Sequence, residues 1–356
     1  MGETILMKGN EAVAEAAIRG GCRFFFGYPI TPQSEVPEYM SRRLHEVGGV
    51  FLQAESEVAA INMVYGASGA GARVMTSSSS PGISLKMEGI SYIAAAELPC
   101  VIVNMVRGGP GLGTIQPAQS DYFQATKGGG HGDYHLIVFA PQSVQEMVDM
   151  TIEAFDVADK YRNPVMILAD GLIGQMMEPV VFPDGEDRPN TEKPWATVGM
   201  GDRAERNIVT SMDLNAEAME EINWRIQEKY DKITKEMLRY ETLDTEDADL
   251  ILVAYGSSAR IALNAMSKAR ENGYKVGLVR PQTVWPFPYE VIKDLANQAK
   301  AFLTVEMSMG QLIEDVKLAA GETPVYHFGR CGGVIHSPAE VYEKIEEILN
   351  GGGAAK

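Results

Sequence analysis

The sequence predicts an α/β protein in which parallel sheets are covered by helices on both faces. Short, continuous apolar runs alternate with helical segments over residues 1–180 and again over residues 247–350, and such runs are typical of strands buried in parallel sheets. A length of 356 residues is enough for about two domains. Hydrophobic residues are 45% and charged residues 22% of the chain, which is typical of a folded protein rather than a disordered one.

The first predicted domain is residues 1–180. Asn10 precedes a helical segment that the Gly–Gly pair at 20–21 ends, so we expect Asn10 to cap this helix. Another helix is expected to open at Ser56 and to reach about Ser68. The apolar runs that predict strands are residues 23–27, 49–53, 73–76, 100–106, 135–139 and 164–168.

Residues 181–246 form a predicted linker of different character. A polar stretch from Pro183 to Pro194 leads into a charged helical segment with one apolar stripe. The stripe consists of Met219, Ile222, Ile226, Tyr230, Ile233 and Met237. Two interpretations are open: a helix packed between the domains, which is the usual role of such a stripe, or a face for a partner subunit.

The second predicted domain is residues 247–350, followed by a flexible tail at residues 351–356. Strands are expected at residues 250–256, 275–279 and 301–305, and a helix at residues 258–271. A closing helix is expected at residues 338–349, with Ser337 as its N-cap and Pro338 at its first position.

The charge balance excludes several classes of function. Lys and Arg number 31 against 48 Asp and Glu, a formal charge of −17, so the chain lacks the positive surface that nucleic acid or an anionic membrane requires. No apolar run approaches the length of a transmembrane helix. Glu3 and Glu11 lie where a signal peptide would carry basic and apolar residues, so a cytoplasmic location is expected.

The three cysteines are too few and too scattered for an iron–sulfur cluster. Cys22, Cys100 and Cys331 are far apart, and such clusters usually need four thiolates. Any electron transfer would therefore use metal carried by a partner chain.

The segment Gly27-Tyr28-Pro29-Ile30-Thr31-Pro32 directly follows the first predicted strand. In an open parallel sheet, ligands bind beyond the carboxyl ends of the strands, and two flanking prolines would present the Thr31 hydroxyl rigidly. By itself, the same segment also fits an ordinary turn between a strand and a helix.

Two glutamates, Glu55 and Glu57, lie at the end of one predicted strand and the start of the next helix. A carboxylate there is commonly a helix cap, because the helix N-terminus favours negative charge. The alternative is a partly buried glutamate that takes part in proton transfer. Local sequence does not decide between them.

Two further segments follow predicted strands. Residues 76–82 are rich in hydroxyls, as in a helix cap or a polar pocket, but they lack the lysine of a phosphate-binding P-loop. Arg107 precedes a loop rich in glycine, where a guanidinium can hold a carboxylate with two hydrogen bonds. The alternative for Arg107 is a surface arginine beside a flexible loop.

The sequence does not predict a metal site. His131, Asp133 and His135 are close in sequence, but three ligands in a loop rich in glycine are weak evidence. Asp170 and Asn190 imitate only loosely the magnesium–diphosphate motif of thiamine enzymes, since the spacing is short and Ala169 replaces the first glycine.

Taken together, the chain resembles the alpha subunit of the 2-oxoacid:ferredoxin oxidoreductases over nearly its whole length. Its start, Met7-Lys8-Gly9-Asn10, resembles most the branched-chain (2-oxoisovalerate) members. The segments that carry the resemblance are residues 27–32, 55–57, 76–82, 107–110 and 119–121 in the first part, and residues 255–257, 280–288 and 306–311 in the second.

The resemblance implies a fold, a reaction and a division of labour. It implies a pyrimidine-type thiamine-diphosphate-binding domain and a transketolase C-terminal-like domain. The reaction would be oxidative decarboxylation of a 2-oxoacid with coenzyme A, giving an acyl-CoA, carbon dioxide and reduced ferredoxin. A beta subunit would hold the diphosphate and its Mg²⁺, and a gamma subunit, a ferredoxin-like delta subunit or both would hold the iron–sulfur clusters.

The resemblance also assigns roles to residues. Glu57 matches the glutamate that hydrogen-bonds N1′ of the aminopyrimidine, and Glu55 is the competing candidate. Thr31 and Arg107 match the threonine and arginine that bind the substrate. The serine loop either lines the site or only shapes it. The residues expected at the cofactor are Glu57, Tyr28, Pro29, Ile30 and Ser79.

Two alternatives stay open at this point. The same reaction on 2-oxoglutarate would call for another cation near the pocket. A non-catalytic scaffold subunit would keep the fold and bind partner subunits only, although the presence of Thr31, Glu57 and Arg107 together argues against it.

Overall fold

The computed structural model describes residues 4–183, 188 and 192–351. Its strands are β1 (Thr4–Lys8), β2 (Phe24–Gly27), β3 (Val50–Gln53), β4 (Val74–Ser78), β5 (Cys100–Val106), β6 (Ile137–Phe139), β7 (Pro164–Asp170), β8 (Met177–Val181), β9 (Tyr240–Leu243), β10 (Leu250–Val253), β11 (Val276–Pro281), β12 (Thr283–Trp285), β13 (Ala301–Glu306) and β14 (Val325–Gly329). Its helices are α1 (Gly9–Arg19), α2 (Glu35–Glu46), α3 (Glu57–Gly69), α4 (Ser80–Ala95), α5 (Tyr122–Thr126), α6 (Val144–Tyr161), α7 (Gly171–Gln175), α8 (Ala216–Glu236), α9 (Gly256–Glu271), α10 (Tyr289–Ala296), α11 (Leu312–Ala320) and α12 (Pro338–Leu349).

The larger sheet has seven strands in the order β12-β6-β7-β5-β4-β2-β3. Every pair in it is parallel except β12 with β6. All seven residues of β5 and all seven of β7 are buried. Because successive side chains of a strand point to opposite faces, this burial means that both faces of the sheet are covered, as the apolar runs predict.

The second sheet has five strands in the order β14-β13-β10-β11-β9. Its strands are parallel except β9, which pairs antiparallel with β11. The predicted closing helix is confirmed: Ser337 caps α12, and the Glu340 side chain bonds back to the Ser337 backbone in a capping box. Both sheets are therefore mixed at an edge rather than wholly parallel.

Two pairings were not predicted from the sequence. β1 and β8 form a separate antiparallel ladder. β12 lies at residues 283–285, between strands of the second sheet in chain order, yet it extends the first sheet. Strands of three to five residues carry too little periodicity to identify their partners, so tertiary contacts decide them.

The amphipathic helix α8 packs against the larger sheet. Ile226, Tyr230 and Ile233 are buried, and the Tyr230 ring meets the edges of the His135 and Trp285 rings at centroid distances of 5.3 and 5.7 Å. The interpretation of the stripe as a packed face is confirmed for these residues.

Part of the predicted linker and tail lies outside the described residues. This applies to residues 184–187 and 189–191 of the polar stretch, including Asn190, and to residues 352–356 of the tail. Among the residues that are described, no helix is long and apolar enough to cross a lipid bilayer.

Candidate active site

The candidate site lies at the carboxyl edge of the larger sheet. β2, β4 and β5 are neighbours or near neighbours there and run in the same direction, so their carboxyl ends meet at one edge. The loop that contains Thr31 follows β2, the serine loop follows β4, and Arg107 follows β5 directly. Such an edge is where ligands bind in open α/β sheets.

Arg107 joins two of these loops. Its side chain is buried, with Nη1 donating to the Thr31 carbonyl oxygen at 2.9 Å and Nη2 donating to the Leu112 carbonyl oxygen at 3.1 Å. Nε is also buried and has no hydrogen-bond partner among the described residues. The alternative of a surface arginine is therefore wrong, because the guanidinium is anchored on backbone and keeps donor capacity for a ligand.

The loop after β2 is held by two buried amides that the sequence did not point to. The Ser77 hydroxyl donates to Gln33 Oε1 at 2.5 Å, and Gln33 Nε2 donates to the Tyr28 carbonyl at 3.5 Å. Asn10 Nδ2 donates to the Pro32 carbonyl at 2.7 Å. These bonds fix the backbone on both sides of Thr31, whose side chain stays exposed.

The expectation that Asn10 caps the first helix is wrong. Lys8 occupies the N-cap of α1, and the Asn10 amide lies fully buried against Pro32 and Glu35. A buried asparagine that serves a distant loop has the same local sequence signature as a cap, so local sequence did not separate the two.

The other residues of the Tyr-Pro-Ile segment face the outside of the chain. Tyr28 and Pro29 are exposed and Ile30 is half-buried. Together with Thr31 they form an open rim at the edge of the sheet. A ligand bound there would still need a further surface to enclose it.

Burial separates the two glutamates. Glu57 begins α3 and is 7% exposed, whereas Glu55 is exposed. The cap of α3 is Ser56, whose side chain accepts from the Ala59 N–H at 3.2 Å. Because Ser56 serves as the cap, neither carboxylate is needed in that role, and Glu57 is the buried one.

Glu57 lies against the start of α4. A Cβ built on Gly82 would lie 2.7 Å from Glu57 Oε1 and 2.1 Å from Ser78 Oγ, so only glycine leaves room for both groups. Ser80, two residues earlier, donates from Oγ to the Arg107 carbonyl at 3.2 Å. The first turn of α4 thus contacts both the Glu57 region and the Arg107 region.

The serine loop supplies hydroxyls that lack partners. Ser78 Oγ and Ser79 Oγ are buried without a hydrogen bond in the part of the chain that the structure describes. Ser79 is the N-cap of α4, but its side chain makes no capping bond. Buried polar groups are normally paired, so these two hydroxyls and Arg107 Nε are candidates to hydrogen-bond a polar ligand between the loops.

Lys86 is a charged residue of this region that the sequence analysis missed. It lies in α4, is completely buried, and donates from Nζ to Thr76 Oγ1 at 2.5 Å and to the Ser77 carbonyl at 3.2 Å. Burial lowers the pKa of Lys86 to about 7, against the opposing charges of Glu57 and Cys100. A lysine inside an apolar helical pattern gives no signal that it faces a strand end.

A cleft next to Arg107 lies between the two sheets. It has a volume of about 530 Å³ and is lined by Ser80, Gly109–Gly111 and Asp121 on one side and by Met307 and Cys331 on the other. Asn104 Nδ2 donates to Asp121 Oδ2 at 2.9 Å, and burial raises the pKa of Asp121. The cleft is large enough for a ligand fragment of modest size.

The side chains considered for a metal do not converge. His131 and Asp133 are exposed, while the His135 ring stacks on Trp285 at 4.6 Å. Asp170 caps α7 and accepts from Ser257 Oγ at 2.6 Å. In the described residues, no group of three His, Cys, Asp or Glu is placed to hold a metal ion.

Comparison with known proteins identifies the family. Residues 15–242 match the family model described as pyruvate flavodoxin/ferredoxin oxidoreductase, thiamine diphosphate-binding. Residues 248–341 match the pyruvate:ferredoxin oxidoreductase core domain II. The chain belongs to the 2-oxoacid:ferredoxin oxidoreductase family. This confirms the resemblance that the motifs indicated. It also confirms that the family is one of oxidoreductases and that the chain contains its thiamine-diphosphate-binding domain.

The relatives within the family are named for two different substrates, ketoisovalerate and 2-oxoglutarate. The chain is 53% identical to the ketoisovalerate oxidoreductase subunit VorB of Methanothermobacter marburgensis, over 97% of this chain and 98% of that one. It is 37% identical to the 2-oxoglutarate synthase subunit KorA of Methanocaldococcus jannaschii, over 94% of this chain and 97% of that one.

Solved structures agree with the fold. The 2-oxoglutarate:ferredoxin oxidoreductase from Magnetococcus marinus, solved with 2-oxoglutarate, coenzyme A and succinyl-CoA bound, matches with a TM-score of 0.87 at 28% identity. The match covers 97% of this chain and 65% of that chain. A split-gene transketolase matches with a TM-score of 0.61 at 15% identity over 97% of this chain and 98% of that one, which supports the fold alone. The predicted thiamine-enzyme and transketolase-like α/β fold is confirmed.

Proposed function

We propose that this chain is the subunit of a branched-chain 2-oxoacid:ferredoxin oxidoreductase that holds the aminopyrimidine of thiamine diphosphate and the carboxylate of the substrate. The observation that carries this proposal is the set of three buried polar atoms that have no hydrogen-bond partner among the described residues, Ser78 Oγ, Ser79 Oγ and Arg107 Nε. One of them, Ser78 Oγ, lies against Gly82, as does the buried Glu57. The reaction converts a 2-oxoacid, coenzyme A and two oxidised ferredoxins into an acyl-CoA, carbon dioxide, a proton and two reduced ferredoxins.

Arg107 is proposed to hold the substrate carboxylate. Its Nη atoms are anchored on the Thr31 and Leu112 carbonyls, so Nε and the remaining N–H donors are aimed without loss of side-chain freedom on binding. Thr31 is proposed to donate its exposed hydroxyl to the same carboxylate or to the developing oxyanion. Holding the oxoacid between two fixed groups lowers the entropic part of the barrier.

Glu57 is proposed to hold a proton at N1′ of the aminopyrimidine. Thiamine diphosphate, when bound, supplies the carbon nucleophile and the electron sink that decarboxylation requires. Glu57 fits its role because it is a buried carboxylate that lies, like Ser78 Oγ, against Gly82, whereas Glu55 is exposed. Tyr28, Pro29, Ile30 and Ser79 are proposed to line the cofactor.

The partner subunits are also part of the proposal. The open rim at Tyr28 and Pro29 would be closed by a beta subunit that binds the diphosphate and its Mg²⁺. Iron–sulfur clusters would be carried by gamma or ferredoxin-like delta subunits, because the chain has three scattered cysteines, of which Cys22 and Cys100 are buried. Ferredoxin and coenzyme A complete the set of partners.

The proposed substrate is chosen by sequence identity to relatives that are named for their substrates. Identity is 53% to a ketoisovalerate oxidoreductase subunit and 37% to a 2-oxoglutarate synthase subunit. An assay of the complete complex decides it: coenzyme A-dependent reduction of a viologen dye with 2-oxoisovalerate, 2-oxoglutarate and pyruvate, each over a full concentration series. We expect the highest kcat/KM with 2-oxoisovalerate. Preference for 2-oxoglutarate would keep the mechanism and replace the substrate.

The Glu57→Gln variant tests the catalytic role against a scaffold role. In a complex that still contains thiamine diphosphate and intact clusters, we expect turnover to be lost, since the amide cannot take up the proton at N1′. The matched control is Glu55→Gln, two residues away and exposed, which should leave turnover nearly unchanged. Full activity of Glu57→Gln would support the non-catalytic scaffold.

A further inference from the structure

A second cavity, of about 520 Å³, opens beside Thr31 at the carboxyl edge of the larger sheet. Its walls come from the segment between β2 and α2, the loop after β5, the helix α7 and the chain between β14 and α12. The cavity therefore lies where the second sheet's domain meets the candidate site. Its apolar lining consists of Pro32, Ile115, Pro117, Leu172 and Ile335.

The cavity is joined to the groups that are proposed to hold the substrate. Arg107 Nη1 donates to the Thr31 carbonyl at 2.9 Å, and the Arg107 backbone pairs with Pro117 in an isolated antiparallel bridge. The next N–H, that of Gly108, donates to the Gln116 carbonyl at 2.9 Å. Thr31, Gln116 and Pro117 all line the cavity. A 2-oxoacid held by its carboxylate at Arg107 and Thr31 therefore has this cavity next to it.

The floor of the cavity is apolar and closely packed. A Cβ built on Gly171 would lie 3.0 Å from Pro32 Cγ and 3.6 Å from Pro117 Cα, so these three residues are in contact. The Pro32 carbonyl is occupied, because it accepts from Asn10 Nδ2 at 2.7 Å and from Gln175 Nε2 at 2.9 Å. A floor of this kind suits an alkyl group, which needs contact but no hydrogen bond.

The charged side chain on the wall is Glu35. Among the described residues that line the cavity, none is a lysine or an arginine. The Glu35 carboxylate accepts from Asn10 Nδ2 at 2.8 Å, from Gln175 Nε2 at 3.1 Å and from Lys8 Nζ at 3.2 Å, and such donors favour its ionised form. The Lys8 ammonium is thus already paired with a carboxylate. A second carboxylate on a substrate would meet negative charge in this cavity.

We propose that this cavity receives the side chain of the 2-oxoacid and that three of its residues determine specificity. Leu172 and Ile335 would pack against a branched alkyl group, and Glu35 would repel a second carboxylate. This inference rests on the proposed function, since it takes the substrate carboxylate to be held by Arg107 and Thr31. It explains a preference for 2-oxoisovalerate over pyruvate, which lacks two carbon atoms of that side chain, and over 2-oxoglutarate, which ends in a carboxylate.

The first experiment changes the apolar wall. It measures kcat/KM of the complete complex for coenzyme A-dependent viologen reduction with 2-oxoisovalerate and with pyruvate. We expect Leu172→Ala and Ile335→Ala each to lower kcat/KM for 2-oxoisovalerate by about tenfold, at the low end of the effect of one methylene group in an apolar pocket. The value for pyruvate should change much less, because its methyl group has little surface to bury. Leu318→Ala, at an exposed leucine of α11, is the matched control and should alter neither.

The second experiment changes the charge. Glu35→Gln keeps an oxygen acceptor for Asn10 but leaves the Lys8 ammonium without its counter-charge. We expect kcat/KM for 2-oxoglutarate to rise by about tenfold, because a repulsive element is removed and a cation is released. Adding Lys8→Met to this variant should reduce the gain. The matched control is Glu38→Gln, an exposed glutamate of the same helix, which should leave the value for 2-oxoglutarate unchanged.

Two results would overturn the inference. Equal changes in kcat/KM for 2-oxoisovalerate and pyruvate in both alanine variants would mean that Leu172 and Ile335 support the fold rather than contact the side chain. An unchanged value for 2-oxoglutarate in Glu35→Gln would remove the role of Glu35. The wild-type complex separates this inference from the proposed function. Turnover of none of the oxoacids, or a preference for 2-oxoglutarate, would refute the proposed function. A preference for 2-oxoisovalerate with unaltered substrate ratios in the variants would refute only the role of the cavity.

Discussion

Arg107 Nη1 donates a hydrogen bond to the backbone carbonyl of Thr31 at 2.9 Å. The bond joins the loop after β2 to the loop after β5 across 76 positions of sequence. It couples the two residues proposed to bind the substrate, because the arginine orders the backbone at Thr31 while its Nε has no partner among the residues that the structure describes. A change at Arg107 therefore also affects the backbone at Thr31, whereas a side-chain change at Thr31 leaves the carbonyl acceptor in place.

Replacing Arg107 with lysine should raise KM for the 2-oxoacid. The ammonium retains the charge but loses the planar set of donors, so the bonds to Thr31, Leu112 and the substrate carboxylate cannot all be kept. Loss of a charged hydrogen bond of about 2 kcal/mol corresponds to a decrease of about thirtyfold in kcat/KM. Arg203→Lys, where the wild-type Nη1 donates to the Ala196 carbonyl at 3.4 Å, is the matched control. Equal kinetics for the two variants would contradict the role of Arg107.

Gly82→Ala should weaken binding of thiamine diphosphate to the complex by at least about tenfold, or about 1.4 kcal/mol. The added methyl group would lie 2.1 Å from Ser78 Oγ and 2.7 Å from Glu57 Oε1, so one of these groups must move. Titration calorimetry of the complex measures the change. Gly66→Ala in α3 meets no atom within 4 Å and should instead stabilise the chain by roughly 0.5–1 kcal/mol. Unchanged cofactor affinity in Gly82→Ala would show that neither group contacts the ligand.

Gln119→Leu should destabilise the chain by about 2–3 kcal/mol. The fully enclosed Gln119 amide donates to the Tyr255 carbonyl at 2.8 Å and accepts from Ser258 Oγ at 2.7 Å and from the Met307 N–H at 3.0 Å. Leucine has a similar volume but leaves these groups unpaired. Urea unfolding of the full chain tests this, with the exposed Gln227→Leu on α8 as the control, which should cost only a few tenths of a kcal/mol.

His336 should make the chain less stable in mild acid. Burial lowers the pKa of His336 to about 4, so the folded chain keeps the ring neutral while an unfolded histidine takes up a proton below about pH 6.5. The stability that the neutral, buried His336 ring contributes is fully present above pH 6.5 and is lost as the pH falls toward 4. At pH 5 the loss is about 2 kcal/mol.

The pH dependence of unfolding in the His336→Phe variant checks this contribution. The variant should lose less stability than wild type between pH 7 and pH 5, even if its stability at pH 7 differs through the lost 3.2 Å contact with the Phe328 carbonyl. The exposed His131→Phe serves as the control. If His336→Phe lost as much stability between pH 7 and pH 5 as the wild type does, the prediction would be refuted.

Much of the fold follows from local patterns. The apolar runs of β5 and β7 predict buried parallel strands, because each run is apolar apart from Asn104 within β5 and Asp170 at the end of β7. The α12 helix is predicted to the residue, since Ser337 and Pro338 are local start signals. Asn10 shows where such reasoning fails, since its amide bonds to Pro32 instead of capping a helix.

The sequence by itself determined the alternation of strands and helices, the cap of α12 and the motifs that identify the family, because each depends on residues within a few positions of one another. Only the tertiary structure decided that β12 extends the first sheet, that Arg107 bonds to Thr31 and that Lys86 bonds to Thr76. These contacts join distant segments, and which segments meet depends on how the helices and strands pack rather than on any local preference of the chain.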